Sequence, residues 1–333
     1  MLEPLPLMSS LHAPRVAYAR LAPGAPLAPD VLAAIGFGAD PLPDDPRSVR
    51  VALAPLHGAG LTELWLARGP VRTARAGAIR YACDDAHLFG VIDLDEREHG
   101  GIEGAAHAAY AAIRAFRHDP GGRDWCVLRM WNYCDAINEG EGDEERYRRF
   151  CAGRALGLAS LPTDRLPAAT AIGRRDGSLV LQVYWLAARE PGIAFENPRQ
   201  VSAYRYPRQY GPTPPSFSRA MLDAGSLLLI SGTASVVGHA SHHAGDLVAQ
   251  LGETANNLKL LLERGRALSP SLPAEFDARS VLKVYLRDPA QLPAIERALA
   301  EHLPGVRDYV VLEGDVCRHD LLVEIDGCQP AVG

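Results

Sequence analysis

The chain has 333 residues, of which 47% are hydrophobic and 22% charged. That is enough apolar sequence for packed cores, in a length suited to about two domains. A formal charge of −6, from 34 basic and 40 acidic residues, argues against a general nucleic-acid binder, which would carry a basic surplus.

Residues 1–48 are rich in Pro, Ala and Gly and predict an irregular N-terminal extension. An N-terminal domain is expected over 49–190. Strand-like stretches open it near 49–67, and another covers 87–94. An Ala-rich helix over 101–119 is closed by a Pro-Gly-Gly breaker. A strand over 125–133 and a helix over 142–158 follow, and the Asp176-Gly177 turn predicts a hairpin over 169–187. Residues 191–222 form a Pro-rich connector. A C-terminal domain over 223–333 then repeats the pattern. It has a strand over 226–240 and an amphipathic helix over 244–265 with Leu247, Leu251, Leu258 and Leu262 on one stripe and Gly265 as its C-cap. A strand over 280–288, a helix over 289–304 and two paired strands over 306–314 and 321–327 complete it. Two copies of one α+β unit are the economical reading, with mixed sheets and helices on one face of each sheet. The other face is then free to pair, within the chain or between chains.

Six cysteines (Cys83, Cys126, Cys134, Cys151, Cys317 and Cys328) form no C-x-x-C pair and read as reduced thiols of a cytoplasmic protein. The first residues lack the basic and apolar regions of a secretory signal, and no apolar run reaches the ~18 residues of a membrane span. Neither membrane nor nucleic acid is an expected partner.

Four stretches could carry chemistry. Residues 197–222 hold Arg199, Arg205, Arg208 and Arg219, no Asp or Glu, and the interleaved Tyr204, Tyr206 and Tyr210. Arginine grips a carboxylate through two parallel hydrogen bonds, tyrosine adds a neutral donor, and the prolines stiffen the segment. A small carboxylate-bearing ligand fits; a solvated linker is the bland alternative. Near the C-terminus, alternation puts Leu321, Val323 and Ile325 on one strand face and Glu324 and Asp326 on the other. Glu324 is an ordinary strand carboxylate if that face meets solvent. It is a proton donor with a raised pKa if it meets a domain interface. Cys317, seven residues earlier, reads first as a small buried apolar group. Ser231-Gly232-Thr233-Ala234-Ser235 could bind an anion but lacks the P-loop form. His239, His242 and His243 suit a loop or cap better than a metal site.

Some of these residues also carry a resemblance. Ser231-Gly232, Asp246, Gln250, Thr254, Asn257-Leu258, the strand 281–288 and the terminal 322–326 resemble the RidA/YjgF imine-deaminase fold. RMWNYCDAIN and FCAGR within 129–154, ENPRQVSAYRYPRQYGP and PSFSRA within 196–220, SGTASVVGHAS (231–241) and GDVCR with DLLVEI within 314–325 are similar to the chorismatase family. The resemblance implies two RidA-like domains with the site between them, no metal or redox cofactor, and chorismate as small-molecule substrate. It implies Glu324 as catalytic acid, with Cys317 marking the hydroxybenzoate-synthase branch. Arg205, Arg208, Tyr210, Arg219, Tyr204 and the loop Ser231, Gly232, Thr233 and Ala234 are the implied substrate-binding groups. Pyruvate and 3-hydroxybenzoate are the expected products, with 4-hydroxybenzoate a further product of some members. A hydrolase outcome stays open, as does imine hydrolysis. RidA proteins are typically trimers; two fused units leave a monomer or a small homo-oligomer as the expectation.

Overall fold

A computed structural model describes residues 13–22, 24–159, 161–224 and 227–332. Residues 1–12, most of the opening stretch read for a signal, lie outside the described residues.

Five strands come first: β1 (Arg15–Ala19), β2 (Val31–Phe37), β3 (Ser48–Val51), β4 (Pro55–His57) and β5 (Thr62–Leu66). Four of them form a sheet in the order β1-β5-β2-β3. This corrects the expectation of an irregular extension as far as residues 13–48 are concerned. β2 is buried at every position, with Leu32, Ile35 and Phe37 in one apolar cluster and Val31 and Ala34 in another. A strand covered on both faces shows no alternation, so the Pro-rich and Ala-rich flanks hid it.

The chain continues through β6 (Arg72–Ala76), β7 (Ile79–Cys83), β8 (His87–Asp95), α1 (Ile102–Phe116), β9 (Cys126–Asp135), α2 (Arg146–Leu158), β10 (Ala168–Arg174) and β11 (Val180–Ala188). After β12 (Ile193–Phe195) come two single 3-10 turns, then β13 (Ala220–Asp223), β14 (Leu227–Ala234), β15 (Val236–Val237) and β16 (Ala240–Ser241). The last elements are α3 (Leu247–Leu268), β17 (Val281–Leu286), α4 (Leu292–His302), β18 (Asp308–Glu313), β19 (Asp315–Val316) and β20 (Val323–Pro330).

These strands build two seven-stranded mixed sheets, β19-β10-β9-β11-β8-β7-β6 and β12-β13-β14-β20-β17-β18-β4. The inner five strands, β10-β9-β11-β8-β7 and β18-β17-β20-β14-β13, correspond one to one in chain order. In both, the parallel pair is the one joined through the second helix, β9 with β10 and β17 with β18. Each sheet also receives a strand from the other half, since β19 pairs with β10 and β4 with β18. The fold is α+β and its duplication is visible in strand order.

α1 and α2 pack on one sheet through Ile102, Tyr110, Phe150, Leu181 and Val183. α3 and α4 pack on the other through Leu251, Leu258, Ile295, Val323 and Ile325. The helix-free faces meet the four-stranded sheet in a central core that includes Phe37, Trp65, Trp131, Tyr184, Tyr285 and Leu312.

Two expected strand pairings fail in the same way. β10 and β11 are not a hairpin, because β9 lies between them. β18 and β20 are likewise separated by β17. Alternation and a turn signal mark strands and a reversal but do not name the neighbour. Gly265 is inside α3 rather than at its end; a Cβ there would sit 3.0 Å from Leu272, so its smallness serves packing.

Candidate active site

A cleft of about 350 Å³ opens where β10 of the first sheet meets β14 and β20 of the second. Its floor carries Thr170 from β10, Gly232 and Ala234 from β14, and Glu324 from β20. α2 supplies Tyr147 and Arg154, and the connection between β19 and β20 supplies Cys317 and Arg318. The segment between β12 and β13 roofs it with Gln200, Tyr206, Tyr210, Phe217 and Arg219.

Hydrogen bonds hold this arrangement across the two halves. The Ser231 hydroxyl donates to the Ser218 carbonyl (2.6 Å) and accepts from the Ala169 amide (2.9 Å), so one buried side chain stitches β14, the roof and β10. Asp246 caps α3 by accepting from the Ala249 amide (3.0 Å). Further along that helix, the Asn257 amide donates to the carbonyls of Ala234 and Val236. Gln250 donates to the Asp320 carbonyl and accepts from the Leu322 amide (2.8 Å). The polar motif on α3 therefore fixes the end of β14 and the entry to β20 rather than touching the cleft.

Glu324 is 5% exposed. Burial, with the neighbouring Asp326 charge second, pushes its carboxyl up to about 8, against the pull of Arg129, Arg219 and Arg318. At neutral pH it is mainly a protonated acid facing a cavity. Gly232 makes room for it, since a Cβ at that position would lie 1.9 Å from Glu324 Oε1.

Arg154 and Arg219 are both buried, at 3% and 5% exposure. Neither forms an ion pair among the described residues. Arg154 leaves Nε and Nη2 without a hydrogen-bond acceptor, and Arg219 leaves Nε. Arg219 Nη2 donates to the Tyr206 hydroxyl and to the Val201 carbonyl (3.1 Å). Buried cationic donors without acceptors are costly unless an anion completes them. Arg318 lies over the Tyr210 ring at 4.0 Å and donates to the His239 carbonyl (2.9 Å). Cys317 has its thiol pushed up to about 12, by burial first and by the Glu324 charge second.

Of the residues singled out from sequence, Glu324, Cys317, Tyr210, Arg219, Gly232 and Ala234 line the cleft. Arg205 and Arg208 do not, and both are exposed. Arg208 is instead bound to Asp143 through two hydrogen bonds, at 2.9 and 2.5 Å. Arg205 lies 5.7 Å over its neighbour Tyr204, which is also outside the lining. Ser231 and Thr233 point into the protein, where Thr233 donates to the Ser231 carbonyl (2.8 Å). Arg199 pairs with Glu253. His239 meets Tyr210 (3.3 Å) and His243 meets Glu253 (3.6 Å). Tyr206, one of the interleaved tyrosines, also lines the cleft, while Arg154, Tyr147, Thr170 and Arg318 are among the cleft residues that the sequence did not single out. Arg154 stood within the FCAGR stretch, but its place in the cleft appears only once α2, packed on the first sheet, borders the second half.

The comparisons define first a class of protein. A family model described as "Chorismatase FkbO/Hyg5-like, N-terminal" matches residues 63–187. A crystal structure of a chorismatase superposes with a TM-score of 0.83 at 31% identity, covering 96% of this chain and 98% of that one. A 3-hydroxybenzoate synthase from Streptomyces hygroscopicus is 36% identical over 80% of this chain and 80% of its own length. A chorismatase from Streptomyces rapamycinicus is 37% identical over 80% of this chain and 81% of its own. The chain belongs to the chorismatase family.

Proposed function

We propose that this chain cleaves chorismate to pyruvate and 3-hydroxybenzoate, with Glu324 as the proton donor. The observation that carries the reading is a buried carboxyl in one cleft with two buried guanidiniums that have unused donors. Chorismate is a dianion, and Arg154 and Arg219 supply two positive charges where its carboxylates can complete their hydrogen bonds.

Glu324 gives its proton to the enolpyruvyl methylene, which becomes a methyl group and leaves an oxocarbenium carbon. The neighbouring ring hydroxyl attacks the ring carbon bearing the ether, and the carbon–oxygen bond breaks to release pyruvate. The hydroxyl proton restores the carboxyl of Glu324. The resulting arene oxide opens to a phenol as one ring proton moves to oxygen, so substrate and products balance without added water. In the alternative hydrolase course, water captures the cation and a dihydroxycyclohexadiene carboxylate forms. Cys317 in the cleft favours the first course, as does the similarity to a 3-hydroxybenzoate synthase. A product ratio that includes 4-hydroxybenzoate belongs to the same arene-oxide chemistry.

The test is incubation of the purified chain with chorismate and separation of the products. Pyruvate with a phenol supports the proposal, pyruvate with a dihydrodiol moves the chain to the hydrolase course, and absence of pyruvate ends it. Glu324→Gln should lower kcat by about 10²–10⁴-fold while leaving a cooperative thermal melt.

A further inference from the structure

Behind Glu324 lies a row of buried charges that the proposed reaction does not touch. On β20, Asp326 faces the same side as Glu324 and is 0% exposed. Its Oδ2 accepts from the Thr170 hydroxyl (2.7 Å) and the Tyr285 hydroxyl (3.0 Å), with Arg129 Nη2 at 3.2 Å. Its Oδ1 is 3.4 Å from Lys283 Nζ, directly across the β17–β20 ladder. Lys283 in turn donates to Glu63 Oε2 at 2.7 Å, and Glu63 Oε1 accepts from the Trp65 indole at 2.7 Å. Arg129, Asp326, Lys283 and Glu63 are each no more than 2% exposed.

The order is Arg129, Asp326, Lys283, Glu63, with charges that alternate and cancel. Four strands supply it: β9, the paired β17 and β20, and β5 of the four-stranded sheet. Burial works to lower the Lys283 pKa, and Asp326 and Glu63 overcome it and hold the ammonium above its ordinary value. None of Glu63, Lys283 and Asp326 lines the cleft.

Resting on the reading of Glu324 as the acid, we infer that Glu63 and Lys283 are positioning residues that set the proton affinity of Glu324 through Asp326. A carboxylate already fixed beside Glu324 disfavours a second negative charge, so Glu324 keeps its proton. Lys283 holds that carboxylate in place, and Glu63 cancels the ammonium that would otherwise draw the Glu324 proton off. Other groups face Glu324 as well: Arg129 from β9, Thr170 from β10, Arg219 from the roof, Arg318 and Cys317 from the connection before β20, and Tyr147 from α2. The four-stranded sheet thus reaches the reaction through one side chain on β5.

The experiment is the pH profile of pyruvate release for the full chain. The wild-type rate should fall on an alkaline limb as Glu324 loses its proton. Glu63→Gln leaves the Lys283 charge uncancelled and should move that limb down by roughly one pH unit, an about tenfold loss of rate above it, on kcat rather than KM. Lys283→Met should move it up, and the double variant, which removes a neutral pair, should return it towards wild type. Trp65→Phe removes only the donor to Glu63 and should give a smaller downward shift; it carries the test if Glu63→Gln does not fold. Folded variants whose limbs all stay in place overturn the inference. An active wild type that has no alkaline limb, or retains its rate as Glu324→Gln, overturns the parent reading instead.

Discussion

Glu324 and Gln182 occupy the same place in the two duplicated sheets. Glu324 is opposite Tyr285 on β17 and Ala234 on β14, and Gln182 is opposite Tyr133 on β9 and Asp93 on β8. Their surroundings differ. Glu324 faces the cleft, whereas the Gln182 amide donates to the Arg50 carbonyl of β3 (3.1 Å) and to Asp93 (2.9 Å). Two residues on, the ion pair Lys283–Asp326 has as its counterpart the stacked rings Trp131 and Tyr184, 5.0 Å apart. The same strand order therefore yields one charged half that meets a cavity and one aromatic half closed by the four-stranded sheet. On the proposed reading, the duplicated fold keeps one reacting centre because the four-stranded sheet covers the equivalent place in the other half.

The largest expected effect separates the two places by pH. The Glu324 carboxyl is raised from 4.5 to about 8, so the folded state holds a proton that the unfolded chain gives up. The stability tied to that proton is fully present below the unfolded value, near pH 4.5, and is lost as pH rises through the folded value near 8. Glu324→Gln has no such loss. Between pH 5 and pH 9 its advantage over wild type should grow by about 4 kcal/mol, read from urea midpoints. A gap that stays constant with pH contradicts the buried-acid picture.

Turning the quiet half into a copy of the reacting one should fail. Gln182→Glu puts a carboxylate against a carbonyl and beside Asp93, where the amide now donates to both. A loss of about 2–3 kcal/mol at pH 8 is expected in denaturant unfolding. No pyruvate release should return when Gln182→Glu is added to Glu324→Gln. Recovery of turnover would mean that closure by the four-stranded sheet is not what silences this half.

Gly232→Ala sharpens the comparison on the reacting side alone. The new methyl would meet Glu324 Oε1 at 1.9 Å and Thr170 Cγ2 at 3.3 Å, so the carboxyl must swing away. Gly232 is not among the glycines with positive φ, so Ala suits its backbone and the fold should hold. A displacement of about 1 Å is expected to lower kcat by about 10²-fold, with less change in KM.

How much of this could be read beforehand follows from how local each signal is. Helices α1 to α4 and the inward set Val323 and Ile325 follow from local periodicity, and the duplication from its repetition. Glu324 stood out because alternation put it opposite that set. The partners of each strand were not legible, since β9 and β17 insert between strands that are consecutive in sequence. The same limit applies to the arginines. Arg208 looked free in a segment without acids, yet Asp143, 65 residues away, takes it. Arg154 looked like an ordinary helix residue, yet its donors are left over only once α2 packs against the cleft. Charge in a segment reports availability; only tertiary packing decides which charge stays unspent.

Cys317 should give the smallest effect, on product identity rather than rate. With its thiol pushed up to about 12, the sulfur is neutral at working pH and is a weak donor, not a nucleophile. Such a group can hydrogen-bond the oxygen of a strained ring as its carbon–oxygen bond opens. In the proposed course it takes no part in protonating the methylene, the first step. Cys317→Ala should therefore leave chorismate consumption within a fewfold of wild type while lowering the share of phenol among the products, measured by separating them after full conversion. Iodoacetamide at pH 8 should leave Cys317 unmodified in the folded protein, as peptide mass mapping would report. Rapid alkylation there, or a product ratio that ignores the substitution, would remove the thiol from the chemistry and leave it a filler of the cleft wall beside Tyr147.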